Sequence, residues 1–306
     1  MKGKIIVISC LLFVVSCLSA TAVAAQLTLP GLDKVFAYSF YEPRQQMVVD
    51  GKNVDEVRPI ASMTKLVTAY ILLQHQPNWS QRYKMQKVDD ILGSRYYVRP
   101  GETFTLEQYW RVALVGSANN AIKALIHGLG LKEAQVVIEM NNLVKDLGLT
   151  KTKFADVTGL SPANVSTARE YHSLLSLALA RDKITETLQL KNVKLKIGKK
   201  IRVVPNTNKL LGQAYMVAGK TGYIEESGYN FGALLSKDGL KYQLIILGAP
   251  TEAERVASTK NLALWLYDGI IPEKKVVVKT ASAYLSPAAS STEILKATII
   301  SGSLGG

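Results

Sequence analysis

Hydrophobic residues follow a helical period through the middle of the chain. Apolar side chains recur at intervals of three and four residues in the stretches 61–74, 106–115, 119–128, 131–147 and 168–181. Pro59 precedes the first stretch, a position where proline favours helix initiation. Gly128, Gly130 and Gly148 are typical of helix ends. The pattern therefore predicts a long all-helical segment.

Strand patterns lie on both sides of this helical segment. They cover about 35–41 and 46–49 near the beginning, then 201–204, 216–220, 229–236 and 240–249, before a final helix at 251–267. Lys237-Asp238-Gly239 separates the last two strands, which is typical of an antiparallel hairpin. The run 244–247 is apolar on both faces and predicts a central strand covered by helices. We therefore predict an α+β fold in which helices flank an antiparallel sheet built from both ends of the chain.

The first 25 residues have the pattern of a secretory signal. Lys2 and Lys4 precede an apolar run over 5–18, and the small residues 22–25 supply an A-x-A cleavage site. Residues 26–272 are then the folded domain, and 273–306, rich in Ser, Ala and Gly, a low-complexity tail. This predicts a protein exported to the periplasm or the cell wall, with peripheral contact to a membrane. The alternative is lipoprotein processing at Val14-Val15-Ser16-Cys17, which would leave an acylated Cys17 as an anchor.

The cysteine content bears on disulfides, and the net charge bears on the class of binding partner. Both cysteines, Cys10 and Cys17, lie in the predicted signal, so the processed chain would hold no disulfide. The formal net charge is +13. Because the lysines are spread along the chain without an arginine-rich run, nucleic acid is disfavoured and an anionic extracellular polymer is favoured. The lysines within 191–202 predict a solvated hairpin face, with contact to wall polymer as the alternative.

No metal or cofactor is predicted. The three histidines, His75, His127 and His172, lack the spacing of metal ligands, and each is interpreted as a surface or core residue. The tyrosines at 96, 97, 223 and 229 are either packing residues or the lining of a groove.

The stretch ASMTKL, residues 61–66, carries the first candidate for chemistry. Ser62 and Lys65 are three residues apart, so on a helix their side chains share one face. A lysine buried among apolar neighbours loses its proton more easily, and a neutral amine can take the proton of a serine hydroxyl. Taken alone, the pair also fits a helix N-cap serine and a snorkelling lysine.

Two further motifs follow in order, Ser117-Ala118-Asn119 and Lys220-Thr221-Gly222. The order S-x-x-K, S-D-N, K-T-G is the signature of class A β-lactamases and penicillin-binding proteins, and here the middle motif has the form S-x-N. From about residue 32 to 269 the sequence resembles the low-molecular-mass penicillin-binding proteins, the serine D-alanyl-D-alanine peptidases of bacterial cell walls. Blocks such as VRPGETFTLEQYWRVALVGSANNA, LGLTKTKFADVTGLSPANVSTARE and PNTNKLLG extend the resemblance beyond the motifs. It implies a β-lactamase/transpeptidase-like fold.

The resemblance implies three catalytic residues. Ser62 is the expected nucleophile, Lys65 its base, and Ser117 a relay of protons toward the leaving amine. The reaction would be acyl transfer to water through an acyl-enzyme.

The resemblance also implies five substrate-binding residues. Asn119 is expected to hydrogen-bond the substrate backbone, and Lys220 and Thr221 to bind its terminal carboxylate. Gly222 would keep the strand open to close approach. The backbone N–H groups of Tyr223 and the nucleophile would form the oxyanion hole.

Two departures from the expected patterns bear on the reaction. Glu170, in the block NVSTARE, stands where relatives commonly carry aspartate. The Glu-x-x-Leu-Asn stretch of class A β-lactamases is not found in the sequence. We therefore expect β-lactams to act as covalent inhibitors that form a slow acyl-enzyme.

The short C-terminal region favours one branch of the family. Only 34 residues follow Pro272, too few for the second domain and anchor that carboxypeptidases commonly carry. Together with RPIASMTKL and PNTNKL, this predicts a D-alanyl-D-alanine endopeptidase that cuts crosslinks between peptidoglycan stem peptides. The alternatives are a carboxypeptidase that trims pentapeptides and a non-catalytic module for β-lactam sensing or wall binding.

Overall fold

The computed structural model describes residues 24–26, 32–91, 97–269 and 279–281. Residues 29–275 belong to one compact unit. A separate unit contains the antiparallel pair of Ala24–Gln26 with Lys279–Ala281. Most of the predicted signal segment, Tyr96 and most of the predicted tail lie outside the described residues.

The helices of the larger unit agree with the predicted stretches, with one addition. They are α1 (Thr64–Gln74), α2 (Leu106–Val115), α3 (Asn119–Gly128), α4 (Glu133–Asp146), α5 (Ala168–Leu179), α6 (Asp182–Gln189) and α7 (Glu252–Asp268). The analysis of the sequence missed α6, because its eight residues contain only two buried aliphatic side chains, Ile184 and Leu188. Two turns of helix are too short to establish a period.

The strands include the predicted ones and four short additions of two or three residues each. They are β1 (Ala37–Glu42), β2 (Met47–Lys52), β3 (Arg58–Pro59), β4 (Arg82–Lys84), β5 (Thr103–Thr105), β6 (Val165–Ser166), β7 (Asn192–Ile197), β8 (Lys200–Pro205), β9 (Met216–Ile224), β10 (Gly228–Lys237) and β11 (Leu240–Ala249). Three separate antiparallel pairs are β3 with β6, β4 with β5, and β7 with β8.

The main sheet combines the two ends of the folded unit. Its order is β9-β10-β11-β1-β2, and every neighbouring pair is antiparallel. The central position of β11 is confirmed, and its residues 244–247 are fully buried. Helix α5 packs on β11 and β1, and α7 packs on β10 and β11. The sheet is therefore flanked by helices, as the sequence predicts.

Helix α1 lies between the helical region and the sheet. Its residues 64–69 are all buried, so the helix is enclosed on every side of that segment. It packs on α4, α5 and α2, and the 3₁₀ turn Ala61–Met63 before it contacts β9. Ser62 therefore lies in this turn, two residues before α1 begins, at the boundary between the helical region and the sheet.

In the helical region, a buried tryptophan and its hydrogen bond join α2 to α6. Trp110 is fully buried on α2, and its indole N–H donates to Thr187 Oγ1 on α6 at 2.8 Å. Burial of a large apolar side chain contributes about 1.5–3 kcal/mol. Among the described residues, no helix is long and apolar enough to cross a bilayer.

Candidate active site

The backbone around Ser62 is held between two glycines. A Cβ atom on Gly159 would lie 1.9 Å from the carbonyl oxygen of Ala61, and one on Gly222 would lie 2.6 Å from that of Ile60. Ala61 has φ +50°, a left-handed conformation that costs an L-residue about 1–2 kcal/mol. Because Gly222 has no side chain, the turn that carries Ser62 packs directly against β9.

Lys65 makes three short polar contacts in a fully buried environment. Its Nζ atom lies 2.7 Å from Ser62 Oγ, 2.6 Å from Asn119 Oδ1 and 2.7 Å from the carbonyl oxygen of Thr158. The amide and carbonyl oxygens can only accept hydrogen bonds. A neutral amine therefore donates to these two atoms and turns its lone pair toward the serine hydroxyl.

Burial also favours the neutral, unprotonated form of Lys65. It lowers the pKa of Lys65 to about 7, while the negative charge of Asp156 opposes part of that shift. An ammonium group without water around it loses hydration energy, so the neutral form is favoured. The amine is therefore available as a base near neutral pH.

A loop at 156–164 supplies the carbonyl that holds this amine. The Asp156 carboxylate accepts hydrogen bonds from the backbone N–H groups of Thr158, Gly159 and Ser161, at 2.6, 2.7 and 2.6 Å. Asn164 Nδ2 donates to Thr64 Oγ1 at 3.0 Å, which ties the loop to α1. The loop thus fixes the Thr158 carbonyl beside the lysine.

Ser117 and Lys220 form a second serine–lysine contact. Lys220 Nζ donates to Ser117 Oγ at 2.7 Å and to the Thr221 carbonyl at 3.1 Å. Burial, followed by the charges of Lys65 and Arg255, lowers the pKa of Lys220. Ser117 has φ +58° two residues before α3 begins, so its backbone is strained at the motif.

Strand β9 forms one edge of the sheet and contributes the remaining predicted residues. Thr221 Oγ1 donates to Thr207 Oγ1 at 2.7 Å. Tyr223 is 52% exposed, and its ring centroid lies 4.3 Å from that of Tyr229. The strand is longer than the predicted 216–220, so Gly222 and Tyr223 lie within it.

These side chains surround an open cleft with a volume of about 480 Å³. Its lining residues include Ser62, Ser117, Thr221, Gly222 and Tyr223 from the predicted site. The other predicted residues, Lys65, Asn119 and Lys220, are buried behind this surface and do not line the cleft. The structure therefore brings all three motifs together. The two lysines and Asn119 lie behind the residues that line the cleft.

The cleft also contains residues that the analysis of the sequence did not single out. Thr207 and Lys209 come from the loop after β8, and Glu252 and Arg255 from the first turn of α7. Arg255 is only 5% exposed and donates to Glu252 Oε1 at 3.1 Å. The block PNTNKLLG contains the first two residues, but no motif pointed to Arg255.

Glu170 has structural partners and does not line the cleft. Its carboxylate accepts hydrogen bonds from Thr152 Oγ1 at 2.6 Å and from the backbone N–H of Lys151 at 3.0 Å. The unusual residue therefore joins α5 to the segment before the 156–164 loop.

The histidines lie away from the cleft and have structural partners. His172 is buried against Ser39 and Gln243, and burial lowers its pKa to about 3. His127 pairs with the buried Asp89. Within the described part of the chain, no cluster of three or more His, Cys, Asp or Glu side chains could hold a metal ion.

A serine that lines a cleft at the edge of an antiparallel sheet, with a buried lysine in contact and S-x-N and K-T-G elements beside it, defines the class of serine acyl-transfer enzymes to which penicillin-binding proteins belong. Residues 41–251 match the family described as D-alanyl-D-alanine carboxypeptidase, peptidase family S11. The chain belongs to this family.

Individual relatives agree with this assignment. A D-alanyl-D-alanine endopeptidase of Haemophilus influenzae is 32% identical over 232 residues, which cover 74% of this chain and 79% of the relative. The D-alanyl-D-alanine carboxypeptidase DacC of Escherichia coli is 29% identical over 266 residues, covering 80% of this chain and 64% of the relative. The cefotaxime-bound crystal structure of penicillin-binding protein D2 from Listeria monocytogenes superimposes with a TM-score of 0.67 at 29% identity, covering 75% and 96%. The predicted family and fold class are confirmed.

Proposed function

We propose that this protein hydrolyses D-alanyl amide bonds of peptidoglycan through an acyl-enzyme on Ser62. The observation that carries the proposal is the position of Lys65, whose Nζ lies 2.7 Å from Ser62 Oγ while its other two contacts are acceptors. A lone pair directed at the serine hydroxyl is the arrangement that general-base activation requires.

In the proposed reaction, neutral Lys65 takes the proton of Ser62 as Oγ attacks the carbonyl carbon of the D-alanyl amide. The backbone N–H groups of Ser62 and Tyr223 stabilise the oxyanion. Ser117, which accepts a hydrogen bond from Lys220, relays the proton held by Lys65 to the leaving amine as the C–N bond breaks. Water then attacks the ester carbon; its hydroxide oxygen stays on the acyl group, and its proton returns through Lys65 to Ser62 Oγ as the ester bond breaks.

Recognition of the substrate is proposed to rest on a carboxylate. Arg255 and Thr221 line the cleft, and Lys220 lies fully buried behind Thr221, with its Nζ donating to the Thr221 carbonyl at 3.1 Å. Hydrogen bonds from charged donors to a carboxylate are stronger than those between neutral groups. Asn119 is proposed to bind the substrate backbone as well as Lys65, with which it shares a 2.6 Å contact.

The preferred bond is proposed to be the crosslink between two stem peptides. The alignment with the H. influenzae endopeptidase covers 79% of that relative, whereas the alignment with the E. coli carboxypeptidase DacC covers 64% of that relative. The second candidate is removal of the terminal D-alanine from pentapeptides, which the family description favours. Both reactions use the same acyl-enzyme and differ in the leaving amine.

β-Lactams are proposed to acylate Ser62 and to form an acyl-enzyme that hydrolyses slowly. The relative from Listeria was solved with cefotaxime bound. The sequence lacks the Glu-x-x-Leu-Asn stretch that activates a deacylating water in class A β-lactamases. The proposed place of action is the periplasm or the cell wall, where the substrate lies, with peripheral membrane contact.

The experiment supplies the protein with purified crosslinked muropeptide dimers and with monomeric pentapeptide, and follows both products by mass. Loss of dimer with little free D-alanine supports the endopeptidase, and the reverse result supports the carboxypeptidase. Ser62→Ala must abolish both cleavage and labelling by a fluorescent penicillin. Labelling of the parent without cleavage of either substrate would favour the non-catalytic sensing or wall-binding module instead.

A further inference from the structure

The hairpin of β7 and β8 has one buried face and one face that no part of the described chain covers. Val193, Leu195 and Val204 are buried, and both strands pack on α2. The opposite face carries Lys194 and Lys196 on β7, together with the exposed side chains of β8 at alternate positions, Ile201, Val203 and Pro205. The hairpin therefore presents a two-row outer face to solvent.

The strand register places the cationic row beside the apolar row. Lys194 pairs with Val203, and Lys196 pairs with Ile201. Ile201 is 65% exposed and Val203 is 50% exposed. Paired residues on one face of an antiparallel ladder have Cβ atoms about 4.5–5.5 Å apart, so one ligand can contact both rows.

The charge on this hairpin is unbalanced. Lys199 and Lys200 follow at the turn, which brings four exposed lysines onto nine residues, 192–200. No acidic residue lies between 187 and 224. None of the four ammonium groups has an ion-pair partner in the described part of the chain. The face therefore offers positive charge to an external anion.

The outer face is continuous with the cleft. Pro205, the last residue of β8, lines the cleft and lies on the same strand face as Val203 and Ile201. Two strand residues advance about 6.6 Å, so the face extends about 13 Å from the cleft. Arg202 fixes the direction of the hairpin, since its guanidinium donates to the Tyr97 carbonyl at 2.6 Å and to Glu102 at 2.9 Å.

We propose that this outer face binds an acidic, extended segment of the peptidoglycan substrate that continues beyond the bond held in the cleft. The inference rests on the proposed function. Carboxylates of the stem peptides pair with the lysine row, and their apolar side chains contact Ile201 and Val203. The face is a specificity element for polymeric over short substrates, because only a long substrate spans both the cleft and the hairpin.

The test measures binding of the full chain to purified insoluble peptidoglycan sacculi by cosedimentation at low and high salt. Ser62→Ala is present in every binding sample so that the polymer is not consumed. The test variant changes four residues to glutamine, Lys194, Lys196, Lys199 and Lys200. The control makes the same charge change at exposed lysines that do not line the cleft, Lys84, Lys87, Lys132 and Lys145.

We expect the hairpin variant to bind sacculi roughly tenfold more weakly at low salt, because exposed charge pairs contribute modestly and are screened by salt. The control should stay within about twofold of the parent, since it lacks the hairpin geometry. Ile201→Thr with Val203→Thr keeps the strand propensity, and should weaken binding at high salt as well. Equal binding by the hairpin and control variants overturns the proposal.

A second probe separates a membrane surface from the polymer. Loss of binding to phosphatidylglycerol vesicles by the hairpin variant, with sacculus binding retained, also overturns the proposal and assigns the face to a membrane. Acylation by fluorescent penicillin is measured with Ser62 intact, and the hairpin variant should react at the parent rate. If the parent itself neither reacts with penicillin nor cleaves muropeptides, the proposed function is refuted. That outcome is distinct from equal sacculus binding by the hairpin and control variants, which refutes only the role of the hairpin.

Discussion

Lys65 Nζ and Asn119 Oδ1 lie 2.6 Å apart, so one buried hydrogen bond joins the first motif to the second. Fifty-four residues separate these side chains along the chain. The contact orients the amine and, because an amide oxygen cannot donate, it also reserves the lysine lone pair for Ser62.

Substitution of Asn119 by aspartate should impair the base without removing the contact. A carboxylate beside Lys65 stabilises the ammonium and raises its pKa, so the neutral fraction at pH 7 falls. We expect slower acylation by penicillin at pH 7 and a pH profile displaced upward, with partial recovery at pH 9. Asn119→Ala serves as the comparison, and an identical profile for both variants would contradict the electrostatic explanation.

The pH dependence of acylation should follow Lys65. Its pKa of about 7 means that the ammonium form dominates below neutrality, and only the neutral amine can accept the serine proton. The acylation rate constant should therefore fall about tenfold per pH unit below pH 6 and level off above pH 8. Stopped-flow measurements with a chromogenic cephalosporin check this, and a rate that rises toward acid would exclude Lys65 as the base.

Gly159→Ala should disrupt the turn that carries Ser62. The new Cβ would lie 1.9 Å from the Ala61 carbonyl oxygen, and Gly159 has φ +85°. Overpacking and left-handed strain together should lower the free energy of unfolding by about 2–5 kcal/mol.

The matched control for that substitution is Gly130→Ala. Gly130 has φ +74° but no atom within 4 Å of an added Cβ, so only backbone strain applies. We expect a loss of about 1–2 kcal/mol in urea unfolding, with acylation at the parent rate. Equal losses for the two variants would show that the contact with Ala61 is unimportant.

Arg255→Gln should weaken recognition of the substrate carboxylate. Hydrogen bonds to charged groups contribute about 1.5–3 kcal/mol, so kcat/KM should fall about 10- to 100-fold. The informative comparison uses substrates ending in D-alanine or in D-alaninamide, because the variant should lose most of the preference for the acid. Arg169→Gln changes an exposed arginine paired with Asp55 and should leave this preference unchanged.

The local patterns were sufficient for most of the fold. Helix α4 and the hairpin of β10 and β11 were predicted closely, because apolar spacing and a Lys-Asp-Gly turn act over a few neighbouring residues. Helix α6 was missed because eight residues give too short a period. The spacing of apolar residues also did not predict the 3₁₀ turn at Ser62, because the glycines packed against this turn impose its conformation.

The sequence by itself determined the chemical groups, their order along the chain and the elements that carry them. Ser62 and Lys65 meet because three residues of helical backbone bring them together, a relation that spacing alone specifies. Only the tertiary structure decided that the Thr158 carbonyl holds the amine and that Arg255 enters the cleft. A backbone carbonyl has no sequence signature, and α7 reaches the site through packing on the sheet. Such contacts depend on the whole fold, which is why no local pattern could indicate them.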